Sequence, residues 1–259
     1  MIPDRRSLGT FPGLRRIIAT LRGPGGCPWD RVQTHESLRP YLLEETSETL
    51  DALDAQDAEK LCEELGDLLF QVLIQTQLAE EAGEFTMRQL IHGISEKLVR
   101  RHPHVFGDAV ADTPEAVVEQ WDDLKARERG NRSALDGIPR SLPAPVYAQA
   151  LQRRAAIAGF SFRSLDDAWQ ALEEELGELR QAQTPEQKRE EVGDALFALA
   201  NLARQMDVDA EEALLSTCLG FSDLFRLMEG IVEERGVDLK QASYSDKLAL
   251  WEEAKALRR

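Results

Sequence analysis

Two groups of acidic residues in this sequence have types and spacing that could hold a metal ion. The first is Glu44-Glu45-Thr46-Ser47-Glu48 and, beyond residues 49–63, Glu64-Leu65-Gly66-Asp67-Leu68-Leu69-Phe70. The second is Glu174-Glu175-Leu176-Gly177-Glu178 and, beyond residues 179–190, Glu191-Val192-Gly193-Asp194-Ala195-Leu196-Phe197. At ~100° per residue a helix places Glu45 and Glu48 about 60° apart on one flank. Leu42, Thr46, Leu50 and Leu53 make the adjoining apolar stripe. Glu64 and Asp67, three apart, share a face of the next helix. Two antiparallel helices joined by a short connection can aim four such carboxylates at one another.

Acid runs are most often solvated helix faces, and an isolated EExxE would be read that way. Asp67 argues otherwise. It is the only charged residue between Leu65 and Ala79, and a helical wheel sets it between Ile74 and Leu78, on a helix apolar almost all round. Burial of Asp67 is therefore expected, and Asp194 repeats the situation within Val192 to Ala203. An unpaired buried carboxylate costs several kcal/mol, so it calls for a cation or a proton. The candidate ligands are Glu45, Glu48, Glu64 and Asp67, with Glu175, Glu178, Glu191 and Asp194 as the second set. All are hard oxygen donors, which suits Mg²⁺, or Mn²⁺ in its place, over Zn²⁺. The four histidines (His35, His92, His102, His104) all lie in the first half, so chemistry shared by both repeats cannot use one. The Glu-x-x-His pairs of a di-iron carboxylate bundle are missing. Ions held by carboxylates alone suit a substrate that brings phosphate oxygens, and cations follow in the first half. Lys97, Arg100 and Arg101 precede Pro103, with Trp121 and Lys125 on a later segment. A basic last turn also complements a helix dipole, but beside an acidic metal site such residues would neutralise a polyphosphate.

The elements that must position these groups read as helices. Leu, Ala, Glu, Gln and Arg dominate, and apolar positions recur with helical period. Breakers cluster at residues 23–28, at 101–103 and at 136–145. The last cluster divides the chain into modules expected at 1–135 and 146–259, joined by a linker at 136–145. The ordered match between the halves makes the chain a tandem repeat, and the expected class is all-α, of four-helix-bundle type. The longest uncharged run, Leu68 to Ala79, is too short for a membrane span of ~20 residues. The N-terminus lacks an apolar signal core, and three scattered cysteines form no disulfide or zinc framework, so a cytoplasmic protein is expected. A net charge of −16 repels a long phosphate backbone and argues against nucleic-acid polymers as partners. It leaves room for a small phosphorylated ligand arriving with a divalent ion. The apolar helix at Leu65–Ala79 needs cover on every side, which one small module cannot supply, so a homodimer is expected, with an intramolecular pseudo-dimer of the two repeats as the alternative.

Several further segments carry a resemblance. The acidic motifs stand with Cys27-Pro28-Trp29-Asp30 followed by Gln33-Thr34, with Arg100-Arg101-His102-Pro103-His104-Val105-Phe106, and with Asp136-Gly137-Ile138-Pro139-Arg140-Ser141-Leu142-Pro143. Together they resemble the full-length, tandem-domain MazG nucleotide pyrophosphohydrolases over essentially the whole chain. The resemblance implies hydrolysis of nucleoside triphosphates to monophosphate and pyrophosphate, an all-α fold pairing across a homodimer, and a nucleotide-pool house-cleaning role. It implies Mg²⁺ on Glu45, Glu48, Glu64 and Asp67, with Glu44 as a helper or water-activating candidate, and nucleotide contacts from Lys97, Arg101, Trp121 and Lys125. The ions would clamp the phosphates and activate a water for attack at the α-phosphorus. A stacking Trp121 would tolerate any base. The second half departs from the pattern: Gly220 and Leu224 stand where the family's C-terminal domain carries Lys and Arg, although Trp251 and Lys255 remain. Nucleotide binding there is expected to be degenerate. The rivals are a dUTP, dCTP or phosphoribosyl-ATP hydrolase, and a helical dimer that binds nucleotides or a protein as a sensor without turnover. A plain scaffold leaves Asp67 and Asp194 without a purpose.

Overall fold

A computed structural model describes residues 5–129 and 133–258, and among them every regular element is helical. Two compact units meet inside one helix: the first runs to Trp121 and the second begins at Asp122.

In the first unit, a 3₁₀ turn at Arg5–Ser7 leads to α1 (Phe11–Arg22), short α2 (Pro28–Arg31), α3 (Arg39–Asp54) and α4 (Ala58–Ala82). Then come α5 (Met87–Arg101), short α6 (Pro103–Phe106) and the first half of α7 (Pro114–Arg129), whose later residues are counted with the second unit. The three residues between α3 and α4 allow only an antiparallel hairpin, and the two helices pack along their length. Asp57 sets the start of α4 by accepting hydrogen bonds from the Glu59 and Lys60 amides at 3.1 and 3.0 Å. Gly83 ends it in the left-handed conformation, φ 70°, that a Schellman-type cap favours. The core, made of Ile18, Leu38, Leu73, Ile74, Leu78 and Met87, sits around the C-terminal half of α4, where α1 crosses it. Arg22 clamps this crossing. Its side chain is 7% exposed and holds Glu81 through two nitrogens, Nη2–Oε2 at 2.7 Å and Nε–Oε1 at 3.0 Å. The Cys27–Asp30 segment belongs to this clasp: Asp30 is buried, the Trp29 ring meets Tyr41 edge-on at 5.6 Å, and Gln33 Nε2 donates to the Trp29 carbonyl.

The second unit holds α8 (Ala144–Ile157), α9 (Leu165–Gln181), α10 (Pro185–Gln205), α11 (Ala210–Arg235) and α12 (Tyr244–Arg258). The hairpin is repeated here as α9 and α10, again joined by three residues. Thr184 and Gln187 close a reciprocal capping box at the start of α10. Two buried glutamines tie α8 to its neighbours: Gln149 donates to the Ala200 and Val208 carbonyls, and Gln152 to that of Phe197. The apolar core is split. Ala168, Leu172 and Leu202 lie between α9 and α10, whereas Met228, Ile231, Leu250 and Ala254 lie between α11 and α12. No described helix is long and apolar enough to cross a membrane.

Candidate metal centre and its counterpart

The α3–α4 hairpin brings Glu45, Glu48 and Glu64 together, with one oxygen of each lying within 4.8 Å of the others. Helix α3 turns Glu45, Glu48, Thr49 and Ala52 towards α4, and Thr49 and Ala52 close the contact as small buried residues. Glu64 is the enclosed member, 4% exposed, and Lys60 one turn earlier reaches its Oε1 at 3.1 Å. Burial, then the charges of Asp67, Glu48, Glu64 and Glu44, hold the Glu45 carboxyl above the usual carboxylate range. Glu48 is also raised, chiefly by the Glu64 charge, with Lys60 opposing. Three hard oxygens, mutual repulsion and one enclosed carboxylate form a donor set that fits Mg²⁺ or Mn²⁺.

The second hairpin reproduces the arrangement. Oxygens of Glu175, Glu178 and Glu191 lie within 4.8 Å of one another, and Glu191 Oε2 is buried with no hydrogen-bond partner among the described residues. Both Glu175 and Glu191 are raised, by burial first and then by neighbouring carboxylates that include Asp194.

The expected burial of Asp67 and Asp194 is corrected: both are exposed in the single chain. Asp67 does share a helix face with Ile74 and Leu78, but the cover from α1 lies over the C-terminal half of α4 and stops short of it. Glu64, which the sequence pattern presented as one acid among several, takes the enclosed position instead. Asp67 stays near enough to raise Glu45 electrostatically, yet it lies outside the three-oxygen cluster. The stripe beside Glu45 is likewise open, with Leu42, Thr46, Leu50 and Leu53 all exposed. Glu44 is exposed beside Glu45.

The expected nucleotide contacts stand on other elements. Lys97 is exposed on α5, and Arg101 is half-buried in its last turn. The Trp121 ring lies 5.7 Å from His102 at the end of α5, and His104 meets Gln120 at 3.1 Å, so these contacts dock α7 at the Arg-His-Pro-His turn. Lys125 is on α7, and its side chain falls outside the described residues. In the second unit, Gly220 leaves room that an arginine uses: Arg258 Nη1 donates to the Gly220 carbonyl at 2.9 Å, and a Cβ there would stand 3.1 Å from the same nitrogen. Trp251 packs on Phe221 at 5.2 Å, and Lys255 pairs with Glu252 at 2.8 Å.

Comparison with known proteins adds to this geometry. The MazG nucleotide pyrophosphohydrolase domain matches residues 33–106, the stretch that contains α3, α4 and α5. The "Nucleoside triphosphate pyrophosphohydrolase/pyrophosphatase MazG" of Thermotoga maritima is 41% identical over 247 residues, covering 95% of each chain. This chain belongs to the MazG family. The Escherichia coli K12 relative, "Nucleoside triphosphate pyrophosphohydrolase", is 43% identical over 251 residues, 93% of this chain and 95% of its own. Membership makes the chain a hydrolase of the nucleotide pyrophosphohydrolase type, and the MazG-matched segment contains the first carboxylate cluster.

Proposed function

We propose that this MazG protein hydrolyses nucleoside and deoxynucleoside triphosphates to the monophosphate and pyrophosphate with Mg²⁺, or Mn²⁺ in its place, as a nucleotide-pool house-cleaning enzyme. The observation that carries the reading is the convergence of Glu45, Glu48 and Glu64 within 4.8 Å, inside the segment matched by the family domain. The relatives' names support the choice of substrate class. Glu45, Glu48 and Glu64 would hold the ions and Asp67 would complete the set, with Glu44 beside them to orient a water. When bound, a divalent ion neutralises phosphate oxygens and lowers the pKa of a water for in-line attack. Lys97, Arg101 and Lys125 would take the remaining phosphate charge, and Trp121 would stack on the base without selecting it.

A homodimer supplies what the single chain lacks. Leu65, Leu69 and Val72 are exposed along one side of α4, and Ile91, Ile94 and Leu98 along α5. Gly66, inside a helix where glycine costs ~0.5–1 kcal/mol, has open space above it. A second chain seated there would cover the stripe, whereas Asp67, roughly half a turn away around α4, stays on the side of the carboxylates. We place the module boundary at 136–145, because α7 carries Trp121 and Lys125 of the first module. The second module would serve assembly or regulation, since Trp251 is committed to packing and Gly220 to Arg258.

A single turnover in ¹⁸O-water tests the reaction. Label is expected in the monophosphate, and label in pyrophosphate would overturn attack at the α-phosphorus. EDTA should abolish turnover, and activity that persists in EDTA would remove the metal from the reading.

A further inference from the structure

The two hairpins match in register, which makes each a control for the other. Asp57, Lys60 and Glu64 of α4 correspond to Thr184, Gln187 and Glu191 of α10. In the second hairpin, the Gln187 side chain is spent on the helix start, where its Oε1 accepts from the amides of Thr184 at 3.2 Å and Gln183 at 3.0 Å. Nothing from that position reaches Glu191, whose Oε2 is buried and unpartnered among the described residues. In the first hairpin the Asp57 amide is bonded to the Ala52 carbonyl at 3.1 Å, and the residue three places on has no acceptor to offer the helix start. That residue is Lys60. Its ammonium lies 3.1 Å from Glu64 Oε1, with the lysine side chain 49% exposed and the carboxylate nearly enclosed. It also acts electrostatically on Glu48.

We propose that Lys60 is a tethered counter-ion of the first metal site, holding Glu64 while no divalent ion is present and leaving when one binds. The inference rests on the metal reading above. An ammonium brings one charge and three N–H donors, whereas Mg²⁺ or Mn²⁺ brings two charges and draws several oxygens to ~2.1 Å. Both cannot keep Glu64 without repelling each other. The divalent ion gains more from Glu45, Glu48 and Glu64 together, and the half-exposed lysine stem can carry its head into water at small cost. Metal binding at the first site therefore includes breaking an ion pair, and at the second site it does not. The first site binds the free ion more weakly, while without metal the lysine neutralises part of its charge from within α4. The second keeps an orphaned carboxylate oxygen waiting for a cation.

Calorimetric titration of the metal-free full chain with Mn²⁺ tests this, comparing wild type with Lys60→Gln, which installs the second hairpin's residue. Two affinity classes are expected in the wild type, with Glu64→Gln removing the weaker one. Lys60→Gln should tighten that weaker class by about three- to tenfold, the scale of a partly exposed charged pair. Melting gives a second readout that does not depend on activity. Lys60→Gln should melt below wild type without metal, and the difference should vanish at saturating Mn²⁺. An equal melting loss with and without Mn²⁺ would mean that the ion pair persists in the loaded site and would overturn the proposal. So would an unchanged Mn²⁺ affinity. Should the wild type bind no Mn²⁺ at all, the metal reading falls and this inference with it; binding that ignores Lys60 defeats the inference alone.

Discussion

The matched carboxylates Glu64 and Glu191 allow the working site to be assigned to one half of the chain. Glu64→Gln and Glu191→Gln each remove one charge and keep the side-chain shape, so each disables one candidate metal cluster. The halves differ in the cations they carry at matching positions. The first has Lys97 and Arg101 on α5, whereas the second has Gly220 and Leu224 on α11 at the positions where Lys and Arg are expected. Arg258 meets the Gly220 carbonyl from α12, so it stands at neither of those two positions on α11. Lys255 is not counted as lost, since its pair with Glu252 is exposed and easily released. Two missing charge-assisted hydrogen bonds, at ~1.5–3 kcal/mol each, weaken triphosphate binding by ~3–6 kcal/mol, or roughly two to four decades. At substrate levels below saturation the second site then contributes about 1% of turnover or less. Pyrophosphate release should accordingly fall at least ~100-fold in Glu64→Gln and stay within about twofold of wild type in Glu191→Gln. Circular dichroism should show both variants fully helical. A folded Glu191→Gln protein without activity, beside an active Glu64→Gln, would put the catalytic site in the other half and refute the reasoning.

Other perturbations have equally definite outcomes. Glu48→Ala and Asp67→Ala should each abolish turnover, whereas Glu178→Ala and Asp194→Ala should leave most of it, measured by the same assay. Glu45, Glu48, Glu175 and Glu191 are raised above 4.5 in the folded chain, so folding favours their protonated forms. Their repulsion is present at neutral pH and relieved as pH falls through the raised values, so metal-free melting temperature should rise on mild acidification. Saturating Mg²⁺ should flatten that rise. Below 4.5 the trend reverses as Glu81, lowered chiefly by its hydrogen bond to Arg22, gains a proton; a monotonic rise through that range would contradict the assignment. Arg22→Ala should destabilise the chain by ~1–3 kcal/mol in denaturant titrations, less than a fully buried pair because Glu81 is 40% exposed. Light scattering should give a particle of about twice 29.1 kDa. Leu69→Asp, on the open side of α4, should halve that mass, and a wild-type monomer at micromolar concentration would end the dimer reading.

The helical character, the repeat and the identity of the clustered glutamates could be read from the sequence, because each depends on spacing along one chain segment. EExxE puts Glu45 and Glu48 on one flank of any helix, and a three-residue connection returns the next helix alongside it. Burial is a different kind of property, since it depends on which neighbour covers a face and how far along the cover extends. Asp67 lies in line with Ile74 and Leu78, yet α1 covers only the far half of α4, so the aspartate is open and Glu64, turned against α3, is enclosed. Lys60 is different: its i,i+4 spacing already puts it beside Glu64, and what the hairpin adds is Glu48 of α3 within reach of the same charge. Gly220 read simply as a missing cation, and the packing of α12 on α11 made it the seat of Arg258, because a residue without Cβ lets a guanidinium lie on the backbone. Local periodicity thus decides which groups can meet on one helix. The lengths and crossing points of the helices decide which of them leave water, and hence which carboxylates need a cation.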